Sequence, residues 1–366
     1  MASIVIVGAG PAGSTAAIIL ARRGWDVHLI EQHRFPRRKV CGECVSPLGI
    51  DVLRRLEVEN ALRRAGRVRL TRSAFVGTDG RESITILPRE MWGVSRPVLD
   101  HLLLEKAREL GVILHQPARA ERLSLGKLLV RHLESNETSA IALGQIIISD
   151  GKSALGQDRP APSGDLGMQA HFEAVDDELD RISLFSLPGH YCGLAPVEGE
   201  LWNVAMSVPA HRVRTRKMDE IWRDAVSQNA GLARRMRRAR QVTPWLAAPL
   251  PRFSVRSRWP RGMVPIGNAA AALEPIGGEG MGLAMRSAEL AAEAIDSARR
   301  AGKAIDARAL QTKFRNLWRW RSIVCRAGGV IASHPVLARW AIAALSLDER
   351  LGRTLVGLTG KSALCR

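Results

Sequence analysis

Cysteine is scarce, five in 366 residues. That is too few for a disulfide framework in a chain this long, so a reducing, cytoplasmic setting is expected. Acidic residues are outnumbered, 36 Asp and Glu against 54 Lys and Arg, which leaves a net charge of +18. This excess carries no information about fold, but it suits an anionic partner: nucleic acid, an anionic membrane, or an anionic substrate or cofactor. Long apolar runs are also missing. Ala2 to Ala21 is uncharged and has the length of a membrane span or signal peptide, yet no basic residue precedes it. Three glycines and Pro11 interrupt it in a pattern of their own, and Val330 to Leu347 is broken by His334, Pro335 and Arg339. The chain is therefore expected to be soluble, or at most to sit on a membrane surface. No H-E-x-x-H type spacing links the nine histidines, so no metal is expected. No Ser/His/Asp arrangement, internal repeat or low-complexity tract is readable.

What is present is an ordinary globular composition, 46% hydrophobic and 25% charged, in a length that suits two domains of roughly 150 residues or more. Ile4 to Val7 is a short β-branched run of the kind buried in parallel sheets. Gly8, Gly10 and Gly13 follow as G-x-G-x-x-G, Ser14 to Arg23 reads as a helix ended by Gly24, and Asp26 to Ile30 reads as a second strand. Glu31 closes that strand. Each part has a physical role. Gly8 permits the tight turn, Gly10 lets backbone approach a pyrophosphate, and Gly13 lets helix and strand pack closely. The helix N-terminus offers free N–H groups to phosphate, and Glu31 offers acceptors to a ribose. Strand, glycines, helix, strand and acid in register define a dinucleotide site. They do not choose between FAD and NAD.

The remainder of the chain makes that choice by resemblance. Phe35 to Glu43 is similar to the F-P-R-x-K-x-C-G-E segment of geranylgeranyl reductases, and Ser95 to Asp100 to their S-R-x-x-L-D helix start. Ile148 to Ser153 resembles the A-D-G-x-x-S element of FAD-dependent aromatic hydroxylases. Val264 to Ala270 with Pro275 to Met281 resembles the second FAD motif, G-D-A-A…P-x-x-G-x-G. In order along the chain, these segments identify a FAD-dependent oxidoreductase resembling the superfamily of geranylgeranyl reductases, flavin-dependent halogenases and class A flavin monooxygenases. The resemblance implies an α/β fold: a Rossmann-like FAD domain of the second glutathione-reductase type, an inserted β-sheet substrate domain and a helical C-terminal extension. The FAD domain would be discontinuous, residues 1–66, 96–157 and 260–298. Residues 67–95 and 158–259 would bind substrate, with a crossover at Gln157 to Asp165, and 299–366 would form the extension.

The same resemblance assigns the cofactor contacts. Gly8, Gly10, Ala12 and Gly13 would take the pyrophosphate, and Glu31 with Gln32 the adenosine side. Arg38, Arg96 and Asp150 would contact the phosphates or ribityl chain. Gly267, Asn268, Pro275, Gly278, Gly280 and Met281 would lie along the ribityl chain and isoalloxazine, where the dipole of a helix from Met281 to Ala298 stabilises negative charge. Asn268 stands where the family has Asp; it keeps an acceptor and loses the charge. Cys41 would face the isoalloxazine, and Cys44 makes a C-x-x-C with it, although no second pair exists to complete a zinc site. Tyr191, the only tyrosine, begins a Y-C-G-L-A-P segment where related reductases have Y-x-W-x-F-P. Gly193 and Ala195 replace the two aromatics, which should widen the pocket, and the W-x-W-x-I-P of halogenases is missing.

Cys41 and Tyr191 are thus the candidate catalytic residues, with NAD(P)H as a transient donor because no second G-x-G-x-x-G exists. Hydroxylation of a lipophilic aromatic or polyketide-like molecule is placed ahead of C=C reduction. A basic, non-catalytic binding protein is the remote alternative, and no nucleic-acid partner is expected. The C-terminal Phe314, Trp318, Trp320 and Trp340 lie among arginines, fitting either a packed helix or peripheral membrane contact. The basic runs Arg212 to Lys217 and Arg234 to Arg240 read as solvated faces. Oligomeric state is not readable.

Overall fold

The computed structural model describes residues 2–124, 126–142, 144–151, 164–251 and 253–361. The first strand, Ser3–Val7, lies in the middle of a five-stranded parallel sheet. Its neighbours are Asp26–Ile30 on one side and Gln145–Ile148 on the other, with Ile113–His115 and Met263–Pro265 at the edges. Ile4, Ile6, Leu29 and Ile147 are fully buried, as a sheet covered on both faces requires. The helix after the first strand runs Pro11–Arg22, three residues earlier than the sequence suggested, because Pro11 takes the first helical position. It packs against Arg96–Glu109 and Gly280–Arg300, and together they close the largest core. A three-stranded antiparallel sheet, Ala118–Ser124, Lys127–His132 and Thr138–Ala142, covers the other side through Val5, Val7 and Ile30.

The second layer is a nine-stranded mixed sheet. Its central strands are Leu166–Glu173, Trp202–Val208, His190–Pro196, Arg181–Leu187, Val68–Val76 and Glu82–Gly93, in that order. The Thr78-Asp79-Gly80 turn closes the hairpin between the last two, with Gly80 at φ +82°. Cys44–Val45, from the motif segment after the first βαβ unit, joins this sheet at its edge against Gly93 and Trp92. The strands alternate. Met168, Ala170, Phe172, Phe185, Cys192, Leu194, Val204 and Met206 point away from the parallel sheet and under the helices Met218–Ser227 and Ala230–Met236. The opposite face looks toward the glycine loops. The crossover placed at Gln157 to Asp165, with its boundary at 157/158, lies mostly outside the described residues, as do Lys152 and Ser153 of the A-D-G-x-x-S element.

Helices Ala307–Ala332, Pro335–Leu347 and Glu349–Val356 form the C-terminal region. Leu310, Phe314 and Trp318 enter the main core, so the stripe at helical spacing is a packing face, while Trp320 and Trp340 stay exposed. No single described helix is long and apolar enough to cross a membrane. One basic run departs from expectation. Arg235 is buried and ion-paired with Asp177 at 2.9 Å and with Glu82, partners that no local pattern announces.

Candidate functional site

The first glycine loop is shaped by close contacts on one side and open space on the other. Gly8 sits at φ +98°, and a Cβ there would lie 2.8 Å from the Asp150 backbone. A Cβ on Gly13 would lie 1.8 Å from the Gly8 carbonyl oxygen and 2.5 Å from Ser149 Oγ, so the helix presses directly on the turn. Ser149 Oγ donates to the Val7 and Gly8 carbonyls at 2.7 Å each. Gly10 caps the helix N-terminus, and a Cβ there would meet only the Arg96 guanidinium, at 3.8 Å. The space ahead of the free N–H groups is therefore clear. Glu31 is buried and accepts from the Ala9 N–H at 2.9 Å and the His33 N–H at 2.8 Å, each oxygen keeping one further lone pair. Gln32 is exposed and its side chain meets that of His33. Ala12 backs onto Gly267, whose N–H donates to Ser287 Oγ at 2.9 Å.

Positive charge gathers at this loop. Arg96 is buried and forms a two-pronged pair with fully buried Asp100, at 2.8 and 2.5 Å. Burial opposes the guanidinium charge, but Asp100 outweighs it and holds its pKa above the ordinary value. Half-buried Lys39 brings its ammonium to 3.5 Å from where a Gly151 Cβ would stand. Burial, then Arg96 and Arg37, pull it down to about 8, against the pull of Asp100 and Glu31. Arg37 is likewise lowered by burial and by Arg96. Three cations thus face two carboxylates, and the surplus charge is one that a bound anion would relieve. Arg38, the sequence candidate, points elsewhere: its Nη2 reaches the Gln169 carbonyl and Oε1 at 3.5 and 3.4 Å.

Residues 41–44 join the glycine loop to the open face of the large sheet. Glu43, at φ +55°, accepts from the Arg96 N–H at 2.9 Å and meets His171 Nε2 at 2.6 Å. His171 Nε2 lies 3.2 Å from Gln169 Nε2, and that amide donates to Asn203 Oδ1 at 2.7 Å. Asn203 in turn donates to the Cys41 carbonyl at 3.0 Å. All four polar side chains are at least 95% buried. Cys41 Sγ accepts from the Glu43 N–H at 3.4 Å and faces Arg96; burial pushes the thiol pKa up, with Arg96 opposing. The Cys44 thiol donates to the Gly42 carbonyl at 3.3 Å.

Beyond this network the sheet face is small. Gly193 pairs with Ala205 and Tyr191 with Ser207; Gly193, Ala205 and Ser207 are only half-buried. A Cβ on Gly193 would meet one atom, the Ala205 oxygen at 3.7 Å. Tyr191 marks the far end, where its buried hydroxyl donates to Glu274 Oε1 at 2.6 Å. Burial and the Glu274 charge push the phenol well up, and burial raises Glu274 as well. The pair ties the sheet to the second glycine loop, so Tyr191 is placed as an anchor of that loop. In the loop, Pro275 opens a short turn, Gly278 lies at φ +63°, and Gly280 starts the helix with open space where a Cβ would project. Met281 is buried behind it and Asn268 is exposed in the turn 267–269. A Cβ on Gly277 would lie 2.7 Å from Cys325 Sγ, so the C-terminal helix backs this loop.

Two helix N-termini led by uncrowded glycines, a surplus of buried and half-buried cations at the first, and acceptors at Glu31 fit a dinucleotide stretched between the loops. The diphosphate would meet Gly10 with Lys39, Arg37 and Arg96, and the flavin would meet Gly278 and Gly280. Comparison with known proteins supports FAD as that dinucleotide. The FAD binding domain family matches residues 1–308, and the chain belongs to that family. It is 28% identical over 340 residues to menaquinone reductase of Mycolicibacterium smegmatis, covering 80% of this chain and 76% of that one. It is 23% identical over 320 residues to conditioned medium factor receptor 1 of Dictyostelium discoideum, covering 79% of this chain but only 62% of that longer protein. Its fold superposes on a triple mutant of the flavin-dependent brominase Bmp2 with a TM-score of 0.83, at 19% identity over 99% of this chain and 96% of the other. A geranylgeranyl bacteriochlorophyll reductase-like protein of Thermoplasma acidophilum gives 0.73, at 19% identity over 100% and 94%. At such identities the solved structures speak to fold alone. The protein is a FAD-dependent flavoenzyme, and NAD(P)H suits this family as the electron donor.

Sequence reasoning missed Lys39, Arg37, Gln169, His171, Asn203 and Glu274. One signal was available. In Leu166–Glu173, Gly167, Gln169 and His171 occupy alternate positions opposite a wholly apolar face, which marks a polar, ligand-facing side of the strand.

Proposed function

We propose that the protein hydroxylates a lipophilic aromatic or polyketide-like small molecule, using FAD and NAD(P)H as a transiently docked donor. The observation that carries this reading is the floor of the pocket. Gly193 and Ala205, paired between the Asn203–Gln169 network and the Tyr191–Ser207 pair, put only small, half-buried residues on this sheet face, which suits a flat ring system lying against it. Bound FAD supplies the two-electron chemistry. The chain's own residues bind and orient. Lys39, Arg37 and Arg96 would neutralise the diphosphate, and the helix beginning at Gly280 would offer its positive end to negative charge on the flavin. Asn203 and Gln169 fix the Cys41 backbone, and the Glu274–Tyr191 pair fixes the second loop.

A second reading has a specific observation behind it. Burial keeps Cys41 as a thiol beside Arg96, so it holds a proton at Sγ that a C=C reduction would consume. The relative named menaquinone reductase, similar over 340 residues, supports this reading. The experiment is turnover of the FAD-loaded protein with NADPH on phenols that carry an alkenyl side chain, in air and under argon. Hydroxylation predicts oxygen uptake equal to product and no product under argon. Equal yields under argon, with a product two hydrogens heavier, establish the reductase.

A further inference from the structure

Helix Ala307–Ala332 has two apolar faces, and only one of them is covered. Leu310, Phe314, Trp318, Cys325 and Gly329 recur at helical spacing and are buried against the domain. Trp320, Ile323 and Val330 recur at the same spacing on the opposite side and are 66%, 56% and 49% exposed. After a bend of 112° the helix Pro335–Leu347 buries only Ala338 and Ile342. It exposes Val336, Leu337, Trp340 (67%) and Leu347 (89%). Ten of the seventeen large hydrophobic side chains left exposed among the described residues lie between 320 and 358. Clustering of this kind marks a surface that is covered in use.

The charge pattern says by what. Between Ala307 and Leu347 there are seven Lys and Arg residues and no Asp or Glu. Arg308, Arg315, Arg319 and Arg326 follow one another at intervals of seven, four and seven, so they form one row beside the Trp320 stripe; all four are exposed. The Arg319 guanidinium sits 5.8 Å from the Trp320 ring centroid. A second copy of the chain, itself at +18, would set this row against another cationic surface. A lipid surface with anionic headgroups matches both features: arginines meet the headgroup charge, and Trp with aliphatic side chains enters the headgroup–acyl boundary. We infer that the exposed faces of these two helices dock the protein on an anionic membrane surface, lying on it and not crossing it. This inference is independent of which reaction the pocket carries out.

The test is flotation of the full-length, FAD-loaded protein with vesicles of phosphatidylcholine alone or with phosphatidylglycerol added. Wild type should float with the anionic vesicles and stay below with the neutral ones. W320S/W340S keeps every charge and changes only exposed side chains, so flavin content and thermal midpoint should hold while vesicle affinity falls at least tenfold. R315E/R319E should lose a similar amount. Failure of wild type to float with anionic vesicles overturns the inference. So does flotation of W320S/W340S equal to wild type, which reduces the binding to general charge. A dimer in lipid-free solution that dissociates in W320S/W340S also overturns it, because the face would then belong to a second copy.

Discussion

Glu43 and His171 meet at 2.6 Å across the junction between the motif segment and the substrate-facing sheet. Both are buried, and the second Glu43 oxygen holds the N–H of Arg96, the residue that reaches toward the first glycine loop. The Glu43 backbone is in the left-handed region that a side-chain-bearing residue rarely adopts. One carboxylate therefore sets the relation of the cofactor loop, the Cys41 thiol and the sheet.

Removing that carboxylate should be felt in two places. Glu43→Ala leaves His171 and the Arg96 N–H without their partner, and each buried group left unsatisfied costs about 1–3 kcal/mol. The denaturant midpoint should drop accordingly, and FAD affinity should fall with it. His171→Ala should also lower stability, because it leaves one oxygen of the buried Glu43 carboxylate without its partner, but it keeps the Arg96 N–H contact and should leave FAD affinity close to wild type. Equal effects of the two variants on FAD affinity would show that Glu43 does not act through Arg96.

The glycines of the first loop should separate into two kinds. Gly10→Val places its side chain in open space beside Arg96, so the FAD-free protein should keep its thermal midpoint while FAD binding is abolished. Gly13→Ala drives its methyl into the Gly8 carbonyl, so the fold itself should suffer, by several kcal/mol if the turn cannot relax. Calorimetry of FAD-free protein and flavin titration distinguish them. Stoichiometric FAD in Gly10→Val contradicts the assignment of this loop.

Lys39 should make cofactor affinity depend on pH. Its folded pKa, lowered from 10.5 to about 8, means the unfolded chain binds more protons between those values. The cost of keeping it charged is fully present below pH 8, and the free protein gains stability as pH rises from 8 to 10.5. A diphosphate favours the charged form, so FAD binding should take up a proton and weaken as pH rises above about 8. Isothermal titration on either side of that value, about one pH unit below and above it, in two buffers measures this. Lys39→Met should remove most of the slope. A pH-independent FAD affinity in wild type places the diphosphate away from Lys39.

Cys41→Ser separates the two chemistries. A serine hydroxyl is far less acidic than a thiol, so a reduction that draws its proton from Cys41 should slow by about 10²-fold or more. Hydroxylation has no such proton demand on Cys41, and turnover should change only a few-fold. Cys44→Ser, whose sulfur meets the Gly42 carbonyl, serves as the control and should be near neutral.

The parts of the site that were legible in the sequence are those built by local contacts. Gly8, Gly10, Gly13 and Glu31 lie within one βαβ unit, and Gly278 and Gly280 open one helix, so spacing alone carries them. Residues 37–39 lie outside any helix or strand, and nothing periodic says which of three consecutive basic side chains turns toward the cofactor. The segment is held by tertiary contacts, such as Val40 against Gly167, where an added Cβ would lie 2.7 Å from Val40 Cγ1. Tyr191 was legible as a strand residue with either a substrate-facing or a buried structural role, but its partner Glu274, 83 residues away, was not. The burial of Arg235 was hidden for the same reason, with Asp177 and Glu82 far off in sequence.

The family match ends at residue 308, but the folding unit does not. Leu310, Phe314 and Trp318 fill the interior against the cofactor half, and Cys325 abuts Gly277 in the flavin-side loop. A chain cut at the edge of the match would lose a wall of its own core and the backing of the second loop. Helix Ala307–Ala332 is thus one folding unit with the cofactor half, its buried face serving as core on one side and as the brace of the second glycine loop on the other.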